Sequence, residues 1–420
     1  MAMFLVFGIT GNLARHKMLP ALFNLYARKE VDQNNFLCIG VGRKKISKEE
    51  FHALIKESID EVTSANFKDR LDIKDADVEN FKHNFVLSSV YVQGELNDPA
   101  LYSRLKKDLD IGLLSKKDGS IFCKLSLPPS MHEGIIDRLV ESKIMSLKTF
   151  HLMIEKPFGQ DAVSAKKLYT KIVSKLDPKK LILIDHYLGK EPVIDLMNIR
   201  LLGYMEHVLG DKNIKQIEVR VLEKKLVSGR GMFYDDVGAL KDVGQNHLLQ
   251  VLATAAADYK DIKDLDKAKT LFINSLKLDL NKPHIFGQYK GFLDEEHVKP
   301  DSKTETFFSI GLRSSLKKWK GTRFRMTFGK AMEEVRAEII YTFNDKSTFV
   351  LPIAEKDRSA YEYVLLGALH GNNMLRADIG QIIAGWKLME AIKKYQESKN
   401  SKLIPYDKHG NFFDKLKNTV

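Results

Sequence analysis

One short stretch at the start of the chain constrains the fold more than any other. Phe4-Leu5-Val6-Phe7 is an apolar run that stops at Gly8, and after Gly11 apolar side chains return at helical spacing through Met18, Leu22, Leu25 and Tyr26, with Pro20 near the helix start. A buried strand feeding a glycine turn and then a helix is the opening unit of a doubly wound parallel sheet. The rhythm repeats. Phe36–Val41 reads as a second buried strand closing on Gly42-Arg43-Lys44, and an amphipathic segment with Phe51, Leu54, Ile55 and Ile59 comes next. Ser120–Leu127, Ile135–Leu139, Thr149–Ile154, Ala165–Val173 and Leu181–Ile184 continue the alternation. After about Asp185 the texture changes to longer helices, Pro192–Leu202 and Leu240–Ala257, and to alternating strands such as Ile217–Leu222 and Glu338–Phe343. A chain of 420 residues outgrows a single core, which stops growing near roughly 250–300 residues. Two domains are expected, divided at that change of texture. Ile379–Lys394 carries Ile382, Ile383, Trp386, Leu388, Met389 and Ile392 as a helix-like stripe that reads as core.

Charge and cysteine content exclude several function classes. The formal net charge is +12, but the lysine pairs at Lys106-Lys107, Lys116-Lys117, Lys166-Lys167, Lys179-Lys180, Lys224-Lys225, Lys317-Lys318 and Lys393-Lys394 are scattered rather than clustered. No helix-turn-helix or comparable reading module accompanies them, so no nucleic-acid partner is expected. No stretch is apolar and uncharged over the ~18 residues a membrane span requires, so no membrane partner is expected either. Cys38 and Cys123 each sit inside an apolar run and read as structural thiols; no cluster with metal-ligand spacing is visible, so no metal is expected. The first strand begins at the initiator methionine and leaves no room for a basic leader, which predicts a cytoplasmic protein.

Three segments carry chemistry. Gly8-Ile9-Thr10-Gly11-Asn12-Leu13-Ala14 joins the first strand to the first helix, where glycines let backbone approach a pyrophosphate and the helix N-terminus offers free N–H groups. Its spacing departs from the usual dinucleotide pattern, so a plain tight turn remains open on this segment alone. The second strand closes on Gly42-Arg43-Lys44-Lys45, cations suited to a 2′-phosphate, where an NAD site places Asp or Glu. NADP is therefore favoured, with a solvated basic turn as the alternative. Ile154-Glu155-Lys156-Pro157-Phe158-Gly159 comes directly after a strand and reads either as a rigid X-Pro device aiming Lys156 into the cleft or as a plain strand-ending turn. Ile184-Asp185-His186-Tyr187-Leu188-Gly189-Lys190 concentrates a carboxylate, an imidazole, a phenol and an ammonium, and His186, Tyr187 and Lys190 offer the donors a phosphoryl group needs. Asp242-Val243-Gly244-Gln245-Asn246-His247-Leu248 supplies a second imidazole at the start of an apolar helix, beside a polar pair that favours a site over a structural histidine.

With these segments in place the chain resembles the glucose-6-phosphate dehydrogenases. The resemblance runs in order through Phe7–Tyr26, Ile154–Gly159, Ile184–Glu191, Gly229–Gln250, Gly329–Lys330 and Ala360–Leu369, and is most specific at Ile184–Glu191 taken with Gln245-Asn246-His247. It implies an α/β Rossmann-like NADP-binding domain over residues 1–185. A β+α substrate-binding and catalytic domain over 186–420 would complete the chain, built on a large, here shortened, antiparallel sheet, with substrate bound between the two. The resemblance further implies oxidation of glucose 6-phosphate to 6-phosphoglucono-δ-lactone, the first step of the oxidative pentose phosphate pathway. By matched position His247 is the general base toward the C1 hydroxyl and Asp185 the carboxylate that orients it. His186, Tyr187 and Lys190 hold the phosphate, and Lys156, Glu223, Asp242 and Lys330 reach the sugar or the reacting end. Gly8, Thr10, Gly11, Asn12, Leu13, Arg43 and Lys156 hold NADP.

The departures carry their own expectations. Asn12 stands where the family has Asp, with little loss of cofactor binding expected. Val335 replaces a second basic residue, so phosphate binding is expected to weaken or to reroute through Arg336. Only Asn344–Ser359 separates the strand ending at Phe343 from Ala360-Tyr361-Glu362, where relatives carry more strands. A second, structural NADP site is not expected, and any homo-oligomer should associate more weakly or differently. An enzyme of the same fold acting on another hexose or hexose phosphate, or a non-catalytic relative, stands as the alternative function.

Overall fold

In the computed structural model the described residues are 2–60, 75–114, 119–203, 206–210, 212–398 and 402–416. The first six strands are β1 (Ala2–Phe7), β2 (Phe36–Gly42), β3 (Ser89–Gln93), β4 (Ser120–Leu125), β5 (Phe150–Glu155) and β6 (Leu181–Ile184). They form one parallel sheet in the order β3-β2-β1-β4-β5-β6. Parallel strands need long crossovers, and the helices Leu19–Ala27, Lys48–Asp60, Pro99–Leu114 and His132–Glu141 supply them. β1 is buried along its length because both its faces are covered by helices, which is why Met3–Phe7 is uninterrupted apolar sequence. Phe4, Tyr26, Phe36, Phe85 and Phe122 meet ring to ring on one side of the sheet, each fully buried ring contributing about 1.5–3 kcal/mol. Cys38 and Cys123 are free and buried within β2 and β4, and burial pushes the Cys38 thiol up to about 12.

The chain groups into two compact units that do not follow a single cut at 185/186. The first holds Met1–Gly159, Lys166–Ile184 and Lys356–Arg376; the second holds Gln160–Ala165, Asp185–Glu355 and Ala377–Val420. Lys356–Arg376 joins the first unit because its helix, Ala360–Leu369, packs on Leu19–Ala27 and is tied there by polar contacts. Asn24 Nδ2 donates to Glu362 Oε1 at 2.9 Å, and Arg358 grips Glu30 with both its terminal nitrogens. Ser359 and Glu362 close a capping box at the helix start, a sequence signature worth about 1 kcal/mol.

Among the described residues the second unit is built on eight strands. β7 (Ile214–Leu222), β8 (Leu276–Leu278), β9 (Ile285–Tyr289), β10 (Phe307–Ser314), β11 (Arg323–Gly329), β12 (Arg336–Phe343), β13 (Thr348–Pro352) and β14 (Ile404–Tyr406) lie in the order β13-β12-β7-β11-β10-β9-β14, with β8 paired to β10. Two pairings are parallel, β7 with β11 and β9 with β14; the others are antiparallel. The sheet is thus mixed where an antiparallel one is expected. Each parallel pair joins strands far apart in sequence, which gives the chain room for a crossover. The short stretch after Phe343 still accommodates a hairpin strand, β13.

The helices of this unit include Glu191–Leu201, Leu249–Ala256, Leu265–Ser275 and Ile379–Ser398. The expected helix Leu240–Ala257 does not run evenly: Leu240–Leu248 is wound as a π-helix before Leu249–Ala256 continues as an α-helix. Its far end is tightly held. Carbonyls left without intrahelical partners there are satisfied by buried side chains: Arg200 donates to Thr254 and Ala257, Tyr341 to Ala255, and Trp319 to Ala256. Such an end cannot fray without exposing several buried donors, so the helix is a rigid mount for the residues at its start.

Candidate active site

In the first unit the topology reverses between β1 and β4, the place where open α/β sheets leave a crevice at the carboxyl ends of their strands. Gly8 succeeds β1 with φ +78°, and a Cβ there would fall 2.6 Å from the Ser126 carbonyl oxygen. Only glycine fits. The Gly8 N–H donates to Val41 O at 2.8 Å and the Gly11 N–H to Gly8 O at 2.9 Å, which folds the turn tightly before Leu13 enters the first helical segment. Thr10 and Leu13 are half-buried and Asn12 is exposed on that turn. Because Phe7 is in register with Val41, the neighbouring strand ends beside it, and Arg43 emerges exposed at that edge. Side chains of β3 pin the Arg43 loop: Tyr91 Oη donates to Lys44 O at 2.7 Å and Gln93 Nε2 to Arg43 O at 3.3 Å.

These features fit a dinucleotide phosphate. A glycine turn that no side chain can fill leads into a helix start, an exposed guanidinium stands at the end of the second strand, and no carboxylate ends that strand. Sequence reading missed Ser126, whose buried hydroxyl has no hydrogen-bond partner among the described residues and whose N–H donates to Phe7 O. A serine at the end of the expected strand Ser120–Leu127 carries no motif; only the switch point makes it a candidate. At the end of β5, Glu155 is buried and accepts from Lys124 Nζ at 2.8 Å and Tyr361 Oη at 2.7 Å. Lys156 comes next, through a cis Lys156–Pro157 peptide.

The second unit gathers the other candidates. Asp185 caps a 3₁₀ turn, His186–Gly189, by accepting the Tyr187 N–H at 3.0 Å, and the same oxygen lies 2.5 Å from His247 Nδ1. Both side chains are about 4% exposed, so water does not screen the pair. A carboxylate on Nδ1 fixes the ring proton there and leaves Nε2 with the lone pair. Burial alone would raise the Asp185 carboxyl, but the adjacent His247, its hydrogen bond, His186 and the Tyr187 N–H together draw it below the ordinary carboxylate value. Asp185 Oδ2 is buried and has no hydrogen-bond partner among the described residues.

The His247 ring is held on its faces as well. Tyr187 stacks on it at 4.3 Å between centroids, and His186 meets it edge-on at the same separation. Burial pushes the Tyr187 phenol far up, and the carboxylates of Glu223, Asp185, Glu355 and Asp242 push it further, so its hydroxyl stays protonated as a donor. Lys190 Nζ lies 5.0 Å over the Tyr187 ring.

His247 and Asp242 share the π-helical segment, five residues apart, a local winding that recurs at functional sites. Its start is set by Gly238, φ +66°, and by buried Glu305, whose Oε1 accepts the Leu240 N–H at 2.9 Å. On the sheet, Leu222 and Gly329 end β7 and β11 in register, which places the next residues, Glu223 and Lys330, side by side with Nζ 2.7 Å from Oε2. Lys330 also lies over the Tyr234 ring at 5.5 Å, and that buried phenol is raised by burial and by Asp242, Glu305 and Glu223. Glu223 on the sheet and Asp242 on the π-helical segment thus act on both phenols, Tyr187 and Tyr234. Tyr234, Glu305 and the buried Lys269 carry no motif and read in sequence as core or helix surface. Burial draws the Lys269 ammonium down to about 8, while Asp266 and Asp185 act in the opposite sense. Val335 is exposed, and Arg336 is paired with Glu334.

Comparison with known proteins supplies independent findings. Residues 5–195 match the family profile described as the NAD binding domain of glucose-6-phosphate dehydrogenase, and residues 202–356 match its C-terminal domain. A glucose-6-phosphate 1-dehydrogenase of Helicobacter pylori strain J99 is 32% identical over 346 residues, 82% of this chain and 76% of that protein. A cytoplasmic glucose-6-phosphate 1-dehydrogenase of Arabidopsis thaliana is 31% identical over 81% of this chain and 66% of its own length. A solved glucose-6-phosphate dehydrogenase in complex with its substrate superposes with a TM-score of 0.84 at 26% identity, covering 99% of this chain and 96% of that one. The short stretch after Phe343 therefore does not set this chain apart in length from that solved relative.

Proposed function

We infer the reaction from the premise that the chain belongs to the glucose-6-phosphate dehydrogenase family. It oxidises glucose 6-phosphate at C1 to 6-phosphoglucono-1,5-lactone with NADP as the hydride acceptor, the first step of the oxidative pentose phosphate pathway. NADP, when bound, supplies the nicotinamide that takes the hydride.

His247 is the general base: Nε2 carries the lone pair and takes the C1 hydroxyl proton as the C1–H bond breaks and the lactone carbonyl forms. Asp185 faces Nδ1 and stabilises the imidazolium that results; in a buried site that charge would otherwise be costly. Tyr187 and His186 fix the ring plane. His186, Tyr187 and Lys190 hold the phosphate, and Lys156, Glu223, Asp242 and Lys330 engage the sugar or the reacting end. Gly8, Thr10, Gly11, Asn12, Leu13, Arg43 and Lys156 hold NADP, with Arg43 on the 2′-phosphate. The functional division assigns residues 1–185 to coenzyme and 186–420 to substrate, although Lys356–Arg376 packs with the first unit. A homo-oligomer of weakened or altered association is part of this reading. So is a cytoplasmic location, which the cytoplasmic Arabidopsis thaliana relative supports. Among the described residues no helix is long and apolar enough to cross a membrane.

The single observation that carries the catalytic assignment is the buried 2.5 Å contact between His247 Nδ1 and Asp185. Absorbance at 340 nm tests the reaction, with NADP and then NAD, on glucose 6-phosphate, galactose 6-phosphate, glucosamine 6-phosphate and free glucose. Highest kcat/KM on glucose 6-phosphate with NADP is expected. A clear preference for another hexose would reassign the substrate.

A further inference from the structure

Lys190, one of the three residues read above as the phosphate site, does not stand alone. Its Nζ lies 3.6 Å from Glu355 Oε1, within ion-pair range but longer than the 2.7–2.9 Å of a charge-assisted hydrogen bond. Lys190 is 15% exposed at its side chain and Glu355 40%, so the pair sits at the rim of the site with its carboxylate toward water. Glu355 is not loosely placed. It comes three residues after β13, and the segment is anchored at buried Ile353, whose N–H donates to Ala337 O. The charge of Glu355 reaches Tyr187 strongly enough to push its phenol up, alongside Glu223, Asp185 and Asp242.

Glu223, Asp185, Glu355 and Asp242 all act on the Tyr187 phenol, while Lys190 lies over its ring and Lys330 is held by Glu223. Val335 supplies no charge, and Arg336 is paired with Glu334. A dianion entering here meets a cation that a carboxylate already shares. The ammonium keeps donors for a phosphate oxygen, but the carboxylate beside it repels the incoming charge.

We propose that Glu355 is a specificity-determining residue: it competes with the substrate phosphate for Lys190 and so sets the affinity for phosphorylated against neutral hexoses. This rests on the assignment of Lys190 to the phosphate. The Glu355 carboxylate lowers phosphate affinity without touching the reacting carbon, so its effect lies in KM and not in the proton transfer. A part-exposed pair of this kind shifts affinity by no more than about fivefold.

The test uses the full-length enzyme with Glu355→Gln, Glu355→Ala and, separately, Lys190→Ala. KM for glucose 6-phosphate, KM for free glucose and the competitive inhibition constant of inorganic phosphate are measured for each. Glu355→Gln and Glu355→Ala are expected to lower the first and third by about 3- to 5-fold and to leave the second within about 1.5-fold. A fall in the glucose KM by the same factor would overturn the proposal, since the effect would not pass through the phosphate. So would an unchanged phosphate constant, or a raised glucose 6-phosphate KM, which would make Glu355 a substrate contact. Lys190→Ala separates the two readings. If it weakens phosphate while the Glu355 variants change nothing, Lys190 holds the phosphate and Glu355 does not contest it; if it leaves phosphate inhibition unchanged, the Lys190 assignment itself fails.

Discussion

Replacing Asp185 by Asn removes the charge opposite His247 while keeping the shape of the contact. Asp185 uses one oxygen, Oδ1, for both the Tyr187 N–H and His247 Nδ1, while Oδ2 is buried with no hydrogen-bond partner among the described residues. An amide oxygen in place of Oδ1 can accept both bonds, so the tautomer with Nε2 free survives, and the amide nitrogen falls where the unpartnered oxygen was. The loss is compensation of the imidazolium. With charge centres about 4 Å apart and an effective dielectric near 20, that compensation is roughly 4 kcal/mol at most. The retained hydrogen bond offsets part of it, so turnover should fall by roughly 10²–10³-fold. His247→Asn removes the base itself and should cost roughly 10²–10⁴-fold, the general-base contribution, or more if binding geometry also relaxes. The assay is steady-state kinetics at 340 nm across pH. Glucose 6-phosphate KM should change little in either variant, because the phosphate ligands are separate side chains. The acid limb of kcat/KM should move to lower pH in Asp185→Asn, since loss of the carboxylate makes imidazolium less stable. Near-normal turnover with a large rise in KM would refute the reasoning and make Asp185 a binding residue.

Other consequences are open to measurement. The folded Asp185 carboxyl titrates below its ordinary value, so its stabilising contribution is complete above the ordinary carboxylate range and lost as pH falls through the lower folded value; Asp185→Asn should flatten the acid limb of a Tm-against-pH curve below about pH 4. Arg43→Asp should cost NADP about 1.5–3 kcal/mol and favour NAD comparatively, and an unchanged cofactor preference would make Arg43 a surface residue. Gly238→Ala places a Cβ 2.6 Å from Glu305 Oε1 at φ +66° and should lower stability by about 1–3 kcal/mol in a denaturant titration, with activity lost alongside as the π-helical segment is displaced. Light scattering over a dilution series should show weaker or concentration-dependent association; a dimer that persists unchanged on dilution would refute that expectation.

Local pattern determined a good deal of this protein. The apolar run before Gly8, the glycine turn and the basic close of β2 are short-range features whose physics is complete within a few residues, and the parallel sheet of the first unit grows out of them. The capping box at Ser359 and Glu362 is local in the same sense. Candidates concentrated in motifs, such as Asp185 to Lys190, were also legible, because a carboxylate, an imidazole, a phenol and an ammonium within six positions are rarely core. Tertiary structure decided the rest. Asp185 and His247 are 62 residues apart, and only the approach of a 3₁₀ turn to the π-helical segment brings them into contact. Periodicity over Leu240–Ala257 announces a helix but not its wider winding, nor that Glu305, 65 positions on, accepts the Leu240 N–H. The parallel pairing of β7 with β11, and with it the neighbouring positions of Glu223 and Lys330, has no signature in either strand alone. Glu355 is the plainest case. By itself it is an ordinary exposed acid in a polar loop, and it acquires meaning only because the hairpin ending in β13 returns it to Lys190, a pairing across 165 positions that no local pattern encodes.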